Sequence, residues 1–288
     1  MEVFKEAQLL RKRLTKHRNN GHSVGLVPTM GSLHKGHLQL IEKCLKQNKV
    51  TVCSIFVNPT QFSNPTDLKK YPQNIDKDLT LLELTGCDIV FNPDVKEMYP
   101  QPPVVQFDFG QLGNILEGKF RPGHFNGVGF IVSKLFNIVV PDRAYFGEKD
   151  LQQLAIMRRL VTDMNYNIEI VGIPTVREQN GLALSSRNKR LTDKEKIQSS
   201  IIYKSLKAGE VILRNQGSAR DVCNAVAAVL KKATLLNPEY IECIDMDSFK
   251  ILVKDDITEN TAICTAVKIG KVRLIDNLIV RKLRPSRK

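Results

Sequence analysis

The chain has 288 residues, 42% hydrophobic and 25% charged, with 43 basic against 30 acidic residues and a formal net charge of +13. That length accommodates one large domain or two modest ones with real cores, and the balance is that of an ordinary globular protein. No apolar run approaches a membrane span, and Met1-Glu2-Val3-Phe4-Lys5-Glu6 lacks a secretory pattern, so a cytoplasmic location without membrane attachment is expected.

The positive charge suits either nucleic acid or small anionic substrates. Apart from the terminal run Arg281 to Lys288 the basic residues are dispersed, there is no tryptophan, and no aromatic-basic interleaving could stack bases. Nucleic acid is therefore the secondary reading. The six cysteines are scattered without a Cys-x-x-Cys pair, mostly within apolar runs, and read as buried free thiols.

In chain order, residues 1–18 pattern as an amphipathic helix with Val3, Leu9, Leu10 and Leu14. Ser23 to Val27 reads as a short buried strand, and Pro28 to Gly36 as turn and loop. From His37 a helix begins, with Leu38, Ile41 and Leu45 on one face. A strand, a glycine-bearing loop and a helix start make an anion site, because the first helical turn has unpaired N–H groups. Gly31 and Gly36 open the backbone to a phosphate, and His34 and His37 can both hydrogen-bond its oxygens. The alternatives are two ordinary surface histidines, or a metal pair for which no third ligand cluster is visible.

Val50 to Val57 is a second strand, ending in Asn58-Pro59-Thr60-Gln61-Phe62. Ile75, Leu79 and Leu82 recur at helical spacing before Gly86, and Cys87 to Phe91 is a third strand. Residues 99–127 are rich in Pro and Gly and read as a functional loop. A helical stripe from Val128 to Phe136, a strand near Arg143 to Phe146, a helix from Leu151 and a strand from Asn167 to Ile173 follow. This alternation predicts an α/β fold, a Rossmann-like doubly wound parallel sheet with helices on both faces. Beyond Pro174 the pattern changes. Thr192-Asp193-Lys194-Glu195 is a capping box opening a long helix, Ser218-x-x-Asp221 starts another, and the strands cluster at Glu239 to Met246 and Thr261 to Val267. The expected division is residues 1–174 and a smaller α+β domain, residues 175–288.

Pro28-Thr29-Met30-Gly31 followed by His34-Lys35-Gly36-His37 resembles the pantothenate synthetase family, AMP-forming ligases of the nucleotidyltransferase group with a His-x-Gly-His signature. The resemblance runs nearly end to end. It implies that pantoate and β-alanine are condensed with ATP through a pantoyl-adenylate, releasing AMP and pyrophosphate, with Mg²⁺ on the phosphates and a homodimer formed through the N-terminal domain.

By that resemblance Met30, Gly31, Ser32, Leu33, His34, Lys35, Gly36 and His37 form the first ATP-binding segment. Gly147, Glu148, Lys149 and Asp150 form the second, Asp150 taking the ribose hydroxyls and Lys149 a phosphate. Val176 contacts adenine through its backbone, and Leu184, Ser185, Ser186 and Arg187 belong to a mobile loop closing over the triphosphate. Gln61 and Gln153 match the glutamines that hold pantoate, and Gln61 also faces β-alanine. His37, His34, Lys149 and Arg187 are the catalytic set, with His37 the proton donor. Tyr71 and Arg121 match positions near the amine substrate or loop closure. Three positions depart from the family pattern: Lys35 where an acid is frequent, Gln73 where arginine is frequent, and Asn126 where a charge is frequent. Two rivals stand beside this reading: a nucleotidyltransferase that adenylates a phosphate ester, and a basic RNA-binding protein.

Overall fold

The computed structural model describes residues 1–62, 65–253 and 256–281. Residues 282–288 of the basic tail lie outside the described residues. The chain divides into two compact units, Met1–Pro174 and Thr175–Lys288.

The first unit is a six-stranded sheet in the order β1-β4-β3-β2-β5-β6, all neighbours parallel. Its strands are β1 (Glu2–Phe4), β2 (Val24–Thr29), β3 (Val50–Ile55), β4 (Ile89–Phe91), β5 (Arg143–Gly147) and β6 (Glu169–Ile173). The main helices are α1 (Ala7–Asn19), α2 (Lys35–Gln47), α3 (Ile75–Thr85), α4 (His124–Val139) and α5 (Leu151–Asp163).

Strand residues alternate between two hydrophobic clusters, as a period of two demands. Leu26, Val52, Phe91, Ala144 and Phe146 pack in the cluster with Leu10, Leu14, Val132 and Leu154 from α1, α4 and α5. Val27, Cys53, Val90 and Tyr145 pack on the other side with Ile41, Cys44 and Leu82 from α2 and α3. Both faces are covered, which explains the near-continuous apolar runs of β2 to β4.

The order also places a topological switch. From β2 the chain proceeds through β3 and β4 to one side, while β5 and β6 lie on the other. Loops leaving β2, β3 and β5 therefore emerge as neighbours at the carboxyl end of the sheet, where open α/β folds bind ligands.

Three expectations shift locally. Residues 2–4 are not the start of the first helix but an edge strand registered Glu2↔Ile89 to Phe4↔Phe91. Pro28 belongs to β2 rather than to a turn, opposite Ser54. The segment 99–127, expected as loop, contains helical turns Gln111–Asn114 and Leu116–Phe120, and α4 starts at His124. Buried Gln152 secures it, donating to the Leu112 and Ile115 carbonyls (2.7 and 2.8 Å) and accepting from the Glu117 amide at 2.9 Å.

The second unit packs α6 (Asp193–Ser199), α7 (Ile201–Arg214) and α8 (Ala219–Leu230) with an antiparallel sheet β7-β8-β9. The sheet strands are Leu236–Asp245, Asn260–Ile269 and Val272–Arg281. Thr192 and Ser218 both form capping boxes. The long helix expected after Thr192 is two helices abutting at Ser200. Leu206, Val222, Val226 and Ile263 centre this unit's own core.

Candidate active site

The loop after β2 is held from beneath by a carboxylate. Asp78 on α3 is 2% exposed and accepts hydrogen bonds from the Ser32 and Leu33 amides at 2.7 and 2.8 Å. Thr29 adds a clamp, donating from Oγ1 to the Ser54 carbonyl at 2.8 Å and accepting from the Gly31 amide at 3.2 Å. Gly31 has φ of +77° and Ser32 +52°, so the chain turns through two left-handed residues in succession. A Cβ on Gly31 would lie 2.9 Å from an Asp78 oxygen, so glycine is required there.

Asp78 carried a readable signal. It lies three residues after Ile75 and four before Leu82, an acid inside the apolar stripe of its own helix.

The helix begins two residues before the expected start, because His34 is its N-cap. His34 Nδ1 accepts from the Gly36 amide at 3.2 Å, and His37 Nδ1 accepts from the His34 amide at 3.3 Å. Together these bonds form a capping box in which two imidazoles replace the usual hydroxyl and carboxylate. The ring centroids are 4.0 Å apart, tilted by 34°. The His37 amide bonds the His34 carbonyl at 2.8 Å.

The expectation that unpaired amides of this turn receive a phosphate therefore changes. The amides of Ser32, Leu33, His34, Gly36 and His37 all have partners within the protein. The half-buried His34 and His37 rings and exposed Lys35 are the polar side chains that this turn carries.

After β3 comes a 3₁₀ turn, Pro59–Gln61. Gln61 is 8% exposed, donates to Met30 Sδ at 2.9 Å and accepts at Oε1 from Asn58 Nδ2 at 3.2 Å. The structure thus brings Met30 and Gln61 together. Asn58 is buried, donating to the Gly127 carbonyl and accepting from Thr60 and Tyr99 hydroxyls at 3.0 and 2.6 Å. Gly127 is needed because a Cβ there would meet the Thr60 carbonyl oxygen at 2.3 Å. His124 bonds the Gln61 carbonyl through Nδ1 at 2.8 Å and Arg121 through Nε2 at 3.0 Å. Tyr71 packs edge-on against Phe62 with centroids 5.8 Å apart. Asn126 caps the Phe107 amide at 2.8 Å, an internal role for this departure from the family pattern.

After β5, Glu148–Asp150 form a 3₁₀ turn leading into α5. Lys149 lies 3.9 Å from an Asp150 oxygen, and its side chain is 17% exposed. Gln153 is half-buried on the first turn of α5, next to structural Gln152. Buried Tyr145 donates to Gln47 and accepts from Asn48, and burial pushes its hydroxyl up to about 12.

In the second unit, residues 176–184 form a small hairpin. Leu184 N–H bonds the Val176 carbonyl, Glu178 N–H the Leu182 carbonyl, and Gly181 turns the chain with φ of +94°. Arg177 clasps it with a bidentate pair to Asp276 (2.6 and 2.9 Å) and bonds to the Gly181 and Asn277 carbonyls, both at 3.1 Å. Its guanidinium also lies 3.9 Å from the Tyr203 ring centroid. Ser185 then caps a 3₁₀ turn, Ser186–Arg190, by accepting from the Arg187 amide at 3.2 Å. Asn188 ties that turn to the Ala183 carbonyl and Glu178 carboxylate, both at 3.0 Å. Ser186 is buried, while Leu184, Ser185 and Arg187 are half-buried.

All six cysteines are free. Burial pushes Cys44 up to about 11 and Cys87 to about 12, so neither serves as a thiolate nucleophile near neutral pH. Among the described residues no group of three His, Cys, Asp or Glu could hold a metal, and no helix is long and apolar enough to cross a membrane.

A family model described as pantoate-beta-alanine ligase matches residues 2–279. The chain is 46% identical over 283 residues to a pantothenate synthetase from Bacteroides thetaiotaomicron, covering 98% of this chain and 100% of that one. Its structure matches a crystal structure of pantothenate synthetase from Thermus thermophilus with a TM-score of 0.91 at 38% identity, covering 98% and 100% of the two chains. A pantoate-beta-alanine ligase from Francisella tularensis, solved with beta-gamma ATP and beta-alanine, matches with a TM-score of 0.79 at 36% identity over 97% of each chain.

Proposed function

This chain belongs to the pantoate-beta-alanine ligase family, and we propose that it condenses pantoate with β-alanine through a pantoyl-adenylate, releasing AMP and pyrophosphate. ATP is the co-substrate. A carboxylate is a poor electrophile, so it must first attack the α-phosphorus of ATP. The amine then attacks the resulting acyl-phosphate anhydride and displaces AMP.

The observation that carries this reading is the imidazole pair at the end of β2, at the switch point between β2 and β5. His34 and His37 stabilise charge developing on the α-phosphate, His37 presenting its ring proton there in a hydrogen bond. Lys149, emerging after the neighbouring strand, holds phosphate, and Asp150 takes the ribose hydroxyls. Gln61 and Gln153 orient the pantoate carboxylate for in-line attack, and Gln61 also faces β-alanine. Val176 meets adenine through its backbone, while Ser185, Ser186 and Arg187 take the outer phosphates. The Arg177 bonds hold the hairpin that leads into Ser185. Tyr71 and Arg121 border the amine.

Mg²⁺ belongs to this reading as an ion carried mainly by the ATP phosphates, neutralising them. The donor set fits that mode, since magnesium takes one or two carboxylates plus phosphate oxygens and needs no protein cage. A homodimer and a cytoplasmic location complete the proposal.

The test is pantoate-dependent exchange of labelled pyrophosphate into ATP. Wild type should exchange only with pantoate present. His37→Ala should lower the rate about 100-fold or more with pantoate binding nearly unchanged, and cost about 1 kcal/mol of stability through the lost cap. Exchange without pantoate would favour the phosphate-ester rival. Steeply salt-dependent RNA binding without exchange would favour the RNA-binding rival.

A further inference from the structure

We infer that the reciprocal capping of His34 and His37 locks both imidazoles as neutral Nε2–H tautomers, so that the loop offers two uncharged N–H donors of fixed identity. The inference deepens the proposed function and rests on it for its catalytic meaning. Its structural content stands on the hydrogen bonds alone.

A backbone amide can only donate. The nitrogen facing it must carry a lone pair, and in both rings that nitrogen is Nδ1, opposite the Gly36 and His34 amides. A neutral imidazole with a bare Nδ1 carries its proton on Nε2. Moving that proton to Nδ1, or adding a second one, would set two donors against each other and break the helix cap. Charging both rings would also place two cations 4.0 Å apart, centroid to centroid.

Each histidine is thereby a positioning residue for the structure that holds the other. His37 takes the amide of His34, and His34 takes the amide that begins the turn carrying His37. For the adenylyl group being transferred, the donors are in the correct protonation state before substrate arrives, and no tautomer shift precedes the chemistry.

The same chain contains the opposite case. Arg121 can only donate and the Gln61 carbonyl can only accept, so His124, bonded to them through Nε2 and Nδ1, holds its proton on Nδ1. His124 is an internal standard for His34 and His37.

The experiment is a long-range proton–nitrogen correlation spectrum of the full-length protein labelled with ¹⁵N-histidine, recorded at neutral pH without substrate. His34 and His37 are assigned by His34→Asn and His37→Asn, in which Oδ1 can stand near the lost Nδ1 and keep the cap. The expected result is an Nε2–H pattern for His34 and His37 and an Nδ1–H pattern for His124. An Nδ1–H, imidazolium or tautomer-averaged pattern for either loop histidine overturns the inference. In parallel, His37→Asn should retain the wild-type circular dichroism and His34 pattern while losing pyrophosphate exchange about 100-fold, because the cap survives and the Nε2 donor does not. Exchange within a few-fold of wild type would overturn the assignment of Nε2 as the donor. The two readings fail separately: correct tautomers with no exchange in the wild type sink the proposed reaction, and wild-type exchange with an Nδ1–H ring sinks the locking.

Discussion

In the loop after β2 a buried carboxylate, Asp78, gathers two backbone N–H groups; in the turn after Pro174 a half-buried guanidinium, Arg177, gathers two backbone carbonyls. Both turns contain left-handed residues, and both carry side chains assigned to ATP. Their fastenings nevertheless have opposite sign. Where the protein supplies its own anion, the Ser32 and Leu33 amides are spent on it. Where it supplies a cation to carbonyls, the hairpin before Ser185 is held in shape. A glycine-bearing loop before a helix can therefore have its backbone amides already taken by the protein's own groups.

The largest effect should follow from breaking the second clasp. Arg177→Ala removes the guanidinium from the Asp276 carboxylate, whose side chain is 3% exposed. Loss of about 3–5 kcal/mol is expected in urea unfolding of the second unit. Replacing both partners, Arg177→Met with Asp276→Leu, should recover much of it. A double variant as unstable as the single one would show that the carbonyl bonds, not the ion pair, carry the clasp.

Asp78→Ala comes next, with about 2–4 kcal/mol expected from two orphaned buried amides. Asp78→Asn keeps one acceptor but turns a second donor toward an amide, so it should recover only part. Hydrogen exchange at Ser32 and Leu33 is the direct readout: protection should fall in both variants, further in the alanine one.

The smallest effect separates the units by acid. In the second unit, burial works against the charged forms of Glu239 and Glu210, yet Lys268 with Arg273, and Lys207 with Arg214, hold these carboxyls below the usual range. Because the folded-state values are lowered, this stabilisation is complete above the unfolded value, about 4.3, and is lost as pH falls through the folded one. Each group should contribute about 1 kcal/mol or less, since their basic partners are partly exposed. Urea midpoints compared at neutral pH and below about pH 4 should fall for wild type. They should fall less for the Glu239→Gln variant.

Much of this protein was legible along the chain. The apolar runs at Val24, Val50 and Ile89, the capping boxes at Thr192 and Ser218, and the left-handed stop at Gly86 are local, and local physics is written in adjacent residues. The paired histidines were visible for the same reason. Hidden were the partners distant in sequence: Asp78 reaches across 46 residues to Ser32, Arg177 across 99 to Asp276, and Gln152 across 40 to Leu112.

By itself, then, the sequence determined the alternation of strands and helices, the apolar faces and the His-x-Gly-His loop, because propensity and periodicity act over a few bonds. Only the tertiary structure decided which amides of that loop are occupied, which nitrogen of each imidazole faces a backbone amide, and that the turn after Pro174 is clasped. Those outcomes depend on which buried charge is packed against which backbone group, and burial is a property of the folded whole.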